Sequence, residues 1–149
     1  MAVPPASADH LRFLSAYGPN ITALALSVRQ MVMEEAAGSS ELIYDAYNAV
    51  ASGYSFTGRP SDACIHIAVY AKWVNLGFNR GADLPDPKAL LQGAGRQIRH
   101  IRIASDADLQ RPFVRRFVKA AVARAARPKQ AMAAVTQVRG NYPQKRRPL

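Results

Sequence analysis

The chain has 149 residues, 49% of them hydrophobic and 20% charged, with a formal net charge of +10. That length fits one domain, and a domain of about 150 residues buries roughly 68–70% of its unfolded surface, enough for a core without metal or disulfide staples. The single cysteine, Cys64, excludes an intrachain disulfide, which suits a reducing compartment.

The opening "MAVPPASADHLRF" lacks a basic start and an apolar core, so no secretory signal is expected. Apolar runs stay far below the roughly 18 residues of a membrane span. The expected location is cytoplasmic. Residues 7–16 read as a short helix capped by Ser7 and ended by Gly18 and Pro19. A longer helix follows over residues 20–37. Ile21, Leu24, Ala25, Val28, Met31 and Val32 form its apolar stripe, and Gly38 lies just past its end.

From Glu41 the period changes to two. "LIYDAYNAV" and "SGYSFTG" read as strands, and residues 58–62 as a loop. "ACIHIAVY" and "WVNLGFN" then predict a hairpin with Ala71 and Lys72 at its turn. Ile65, Ile67 and Val69 share one face of the first strand; Cys64, His66 and Tyr70 share the other. One helical turn is expected over residues 87–92, and a strand over "RQIRHIRI". Ser105 with Asp108 resembles a capping box. The main helix is expected from Arg111 to about Ala126. Leu109, Phe113, Val114, Phe117, Val118, Ala121 and Val122 form its apolar face, and Arg115, Arg116 and Lys119 turn toward water. After Pro128, Met132, Val135 and Val138 recur three apart, which predicts a last short helix. The polar, basic "NYPQKRRPL" is expected to be disordered.

Helices, then strands, then helices predict an α+β fold: an antiparallel sheet of about five strands with helices packed mainly on one face. The expected organisation is one domain over residues 1–126 and a basic, partly disordered extension over residues 127–149. Charge follows the same division. Residues 1–87 hold five basic and eight acidic side chains, residues 88–149 fifteen and two. Such asymmetry argues for an acidic partner, a polyanion or a small anionic ligand, or else for a solvated basic face.

"WVNLGFNRGADLPDPKALLQGAGRQIRHIRI", preceded by "ELIYDAYNAV" and "CIHIAVYAK", resembles the YdhG-like family over about residues 20–125. The shared features are a strand ending in an aromatic plus Asn or Arg, then Gly, an "LxDP"-like loop, an "LLxGxG" loop and a basic "RHI" strand. The resemblance implies the family's small antiparallel sheet with packed helices. It implies no catalytic residues. Some relatives have been described as frataxin-like iron chaperones, so an iron-handling role is the alternative function the resemblance implies.

"GAGRQIRHIRI" carries the most local chemistry. Gly93 and Gly95 allow close backbone approach, and Arg96 suits bidentate recognition of an anion. A dinucleotide fingerprint needs a helix after its glycines; here a strand follows. Two readings stay open: a turn feeding a strand, and a modest anion site formed by Arg80, Arg96, Arg99 and His100. Tyr44, His66 and Trp73 on an open sheet face form a candidate groove. No histidine or cysteine spacing matches a zinc site, so no metal ligands are named. Cys64 paired with His66 or His100 is the one nucleophile–base arrangement that can be written, which leaves an enzyme as the third class. The first reading is a non-enzymatic binding domain for an anionic ligand or partner.

Overall fold

The structure, a computed structural model, describes residues 2–145. Helix α1 (Ala8–Leu14) starts where expected, with Ser7 Oγ accepting from the His10 N–H at 3.2 Å. A 3-10 turn (Ser15–Tyr17) leads into α2 (Gly18–Glu35). Gly18 and Pro19 therefore open the second helix as well as close the first. Pro19 occupies the first turn, where its missing N–H costs nothing.

The sheet has six strands: β1 (Ser40–Asp45), β2 (Val50–Ser55), β3 (Ile65–Val69), β4 (Val74–Phe78), β5 (Arg99–Ile103) and β6 (Thr136–Asn141). Their order is β5-β4-β3-β2-β1-β6. β1 through β5 pair antiparallel, and β6 lies parallel to β1. The fold is thus α+β, with a mixed rather than purely antiparallel sheet. "LIYDAYNAV" is not one strand: Ala46 N donates to Ala49 O at 3.0 Å, closing the β1–β2 turn. The β3–β4 hairpin matches expectation. Val69 pairs Val74, and the Tyr70 N–H donates to Trp73 O at 3.0 Å around Ala71-Lys72.

Alternation along the strands sorts side chains between faces. Val50, Ile65, Ile67, Val69, Val74, Leu76, Phe78, Ile101 and Ile103 are buried with Leu24, Val28 and Val32 of α2. The same core takes Val114, Phe117, Val118 and Ala121 from α4 (Pro112–Ala123). A single-turn helix, α3 (Asp106–Leu109), precedes α4. Ser105 Oγ accepts from the Asp108 N–H at 3.2 Å, while Asp108 Oδ2 accepts from the Ala104 N–H at 2.9 Å.

Two other expectations are corrected. Residues 87–92 form no helical turn; Asp86 instead accepts the Leu90 and Leu91 N–H groups at 2.8 and 2.9 Å, an Asp-centred turn. The short helix expected after Pro128 is replaced by β6. The Glu41 N–H donates to Val135 O at 2.8 Å, the Val135 N–H to Ser40 Oγ at 3.1 Å, and the Tyr142 N–H to Asp45 O at 3.0 Å. Residues 136–139 are exposed, so their side chains show no strand period. The free backbone edge of β1 decides their conformation. The extension therefore joins the sheet as far as Asn141. The disorder expected at its very end falls partly on residues 146–149, outside the described residues.

Candidate functional site

A cavity of about 620 Å³ lies where β3 begins, β4 ends and α4 terminates. Cys64, Asn79, Arg80, Gln97, Ile98 and Arg124 are among its walls. Its size falls within the usual range for a ligand site. Arg80 opens a 3-10 turn (Gly81–Asp83), and its Nε donates to Asp83 Oδ2 at 3.3 Å. The Arg124 Nη1 donates to its own helix at Ala120 O, 3.1 Å.

The glycine–arginine stretch next to the cavity is a folded turn. Gly93 takes φ of +129°, and a Cβ there would meet Ile98 O at 3.0 Å, so a side chain would strain both conformation and space. Arg99 Nη1 donates to Gly95 O at 2.6 Å and Ile98 O at 2.8 Å. That guanidinium ties the loop to the start of β5. Of the four candidate anion ligands, Arg80 lines the cavity, Arg96 is exposed in the bend, and Arg99 holds loop carbonyls. His100 follows Arg99 in β5 and so faces the opposite side of the sheet. The four do not converge on one point.

Tyr44, His66 and Trp73 do share the face away from α2 and α4, but not as one groove. Tyr44 packs against Gly140 of β6, where an added Cβ would sit 3.2 Å from its ring. His66 lies flat on Gly77 in the next strand, occupying the volume a Cβ would need. Its Nδ1 is 2.7 Å from Asn79 Oδ1, which makes that nitrogen the donor. Burial pushes the His66 pKa below its ordinary 6.5, against the raising effect of the Asn79 hydrogen bond. Trp73 is covered by the Arg102 guanidinium, 4.0 Å from its ring centre, and leans on Tyr70 at 5.6 Å.

Cys64 is half-buried, and burial pushes its thiol up to about 11. It donates to Tyr54 O at 3.6 Å, so at neutral pH it is a protonated thiol and a poor nucleophile. Among the described residues, no group of three or more His, Cys, Asp or Glu could hold a metal ion. Glu34 and Glu35 both pair with Arg115, at 3.1 and 2.6 Å. Asp9, Glu41, Asp45, Asp62, Asp83 and Asp108 also lie within salt-bridge distance of a cation.

Cations are distributed differently. From Lys88 onward, Arg111, Arg115 and Lys145 have an acidic partner. Lys88, Arg96, Arg99, Arg102, Arg116, Lys119, Arg124, Arg127, Lys129 and Arg139 have none among the described residues. Arg127 stacks 3.6 Å over the Phe56 ring.

A buried polar cluster is absent from the expectations. Arg29 of α2 makes a forked pair with Glu41 of β1, Nε to Oε2 at 2.8 Å and Nη2 to Oε1 at 3.1 Å. Tyr54 Oη donates to Glu41 Oε2 at 2.8 Å, and Ser52 Oγ lies 3.0 Å from that hydroxyl. Thr136 Oγ1 donates to Glu41 Oε1 at 3.3 Å, and Arg29 Nη1 to Pro4 O at 2.8 Å. His10 Nδ1 stands 3.9 Å from Glu41 Oε2. Burial opposes the Glu41 charge, but the Arg29 hydrogen bond and charge outweigh it and hold the carboxyl below its ordinary 4.5. The cluster joins the N-terminal arm, α1, α2, β1, β2 and β6. One sequence signal pointed to it: Arg29 lies four residues after Ala25, on the apolar stripe of its helix.

The chain matches no protein-family model, no curated protein and no solved structure. No helix of the described residues is long and apolar enough to cross a membrane.

Proposed function

We propose that the protein is a non-enzymatic binding domain for an anionic partner, contacted through the cations of its C-terminal half. The carrying observation is that most cations from Lys88 to Arg139, all but Arg111 and Arg115, lack acidic partners among the described residues, while the acids are nearly all paired. Unpaired surface cations release counterions from a polyanion when they replace them, which gives affinity with little sequence selection. α4 turns Arg116 and Lys119 toward solvent but carries no Asn or Gln that could pair with adenine, so phosphate contacts outweigh base readout in this reading. The YdhG-like resemblance over residues 20–125 and a cytoplasmic location, which the single cysteine favours, belong to this proposal. The iron-handling alternative draws little support from the carboxylates, most of which are engaged by arginines or Lys145.

The test is a salt titration against a random DNA duplex. If about five cations neutralise phosphates, log K should fall with log salt at a slope near −4.5. Undetectable binding at about 50 mM salt, where such contacts are strongest, would reduce the basic half to a solvated surface.

A further inference from the structure

A second concavity, about 370 Å³, separates the loop at residues 85–90 from α4. Its α4 side is made by Phe113, Phe117 and Ala120, and its outer wall by Pro85, Pro87 and Leu90. The α4 side is rigid. Phe113 and Phe117 meet edge to face at 6.3 Å, and Phe117 also packs on Phe78 of the core at 6.1 Å. The outer wall is braced too. Asp86 accepts the Leu90 and Leu91 N–H groups, Ala89 N donates to Asp86 O at 3.1 Å, and Ala89 takes φ of +51°. Two prolines remove further freedom from the same loop.

Charge at this groove is one-sided. Lys88 and Arg116 lie at its edge, both exposed and without acidic partners among the described residues. Asp86 is the one acid in the wall, and its carboxylate is turned onto the two backbone amides of its own loop. The groove therefore offers apolar surface along its length and uncompensated positive charge at its rim. A phosphate backbone would use the cations but leave the aromatic wall against water. A neutral apolar ligand would cover the wall and leave both cations unanswered. The volume suits a small molecule rather than a folded domain.

We propose that this groove binds a small amphiphilic anion, an apolar chain or ring carrying one carboxylate or phosphate. The apolar part lies along Phe113, Phe117 and Leu90, and the anionic head meets Lys88 and Arg116. This rests on the anionic-partner reading and gives it a ligand class at one defined place.

The probe is decanoate at concentrations where it stays monomeric, titrated calorimetrically and compared with decanol and acetate. Decanoate should bind one to one, decanol at least about fourfold more weakly, and acetate not at all. Lys88→Ala and Arg116→Ala should each weaken decanoate roughly two- to fivefold, the range of exposed ion pairs. Ala120→Trp, which fills the groove, should abolish binding; the two charge variants lie on the surface and keep the test valid if that variant misfolds. Equal affinity for decanol and decanoate, unchanged binding in the double charge variant, or binding that survives in a folded Ala120→Trp protein would each overturn the proposal. So would self-association that Ala120→Trp abolishes in a protein that takes up no decanoate, which would give the groove to a second copy. Retention on heparin is measured on the same samples. Retention without decanoate binding sinks the groove alone, and decanoate binding without retention sinks the polyanion reading alone.

Discussion

The two sides of the sheet are fixed to the helices by different interactions. On the β3–β4 side, Ile65, Ile67, Val74, Leu76 and Phe78 bury apolar surface against α2 and α4. On the β1–β6 side, the equivalent positions carry Glu41, Ser52, Tyr54 and Thr136, linked through Arg29 to the helix layer. Apolar burial is non-directional and tolerates small shifts. A buried ion pair does not: its desolvation cost is offset only in good geometry, with its remaining lone pairs satisfied. The polar side thereby selects one arrangement of α1, α2, β1 and β6, and the apolar side supplies most of the stabilisation.

The sharpest way to break this contrast is Arg29→Ala. It strands the Glu41 carboxylate, whose side chain is fully buried, and should cost about 3–5 kcal/mol in denaturant titration. Replacing both partners together, Arg29→Met with Glu41→Leu, should recover that loss or exceed it. If the double variant is instead as unstable as the single one, the pair stabilises the fold outright. Leu76→Ala probes the other side. Leu76 is fully buried, so the loss should be roughly 2–5 kcal/mol, and a loss under about 0.5 kcal/mol, typical of surface sites, would remove it from the core.

A smaller effect comes from pH. Burial holds His10 and His66 below the ordinary 6.5, and burial with the nearby Arg102 does the same for His100. The unfolded chain then binds more protons than the folded one as pH falls below 6.5. Stability from these groups is complete above that value and declines toward their lower folded values. Glu41, held below 4.5 by Arg29, contributes stability above 4.5 that is lost as pH falls through its folded pKa. Urea midpoints measured from neutral to acidic pH should therefore fall in two stages. The lower stage should shrink in the Arg29→Met, Glu41→Leu variant, leaving the smaller contributions of Glu34 and Asp62, which Arg115 and Thr57 hold below their ordinary values, while the upper one persists.

The apolar stripes and alternating strands were readable because each lies within one short segment and repeats with the period of its own element. The cap at Ser7 and the hairpin centred on Ala71-Lys72 are equally local. The candidate anion residues were readable as chemistry but not as a site. Arg99 and His100 are adjacent, and strand alternation sends them to opposite faces, while Arg99 is claimed by the carbonyls of Gly95 and Ile98. Other features depend on partners distant in sequence. Arg29 could be placed on the apolar stripe of its helix, but its partner Glu41 is identified only when β1 and α2 pack together. The spacing of Met132, Val135 and Val138 matched a helix, yet the unpaired N–H and C=O groups at the edge of β1 drew the segment into β6, since exposed side chains offered no competing preference. Local periodicity determined where the core lies; which polar groups are buried together, and which backbone edge the C-terminal segment completes, was decided by contacts that exist only after the chain has folded.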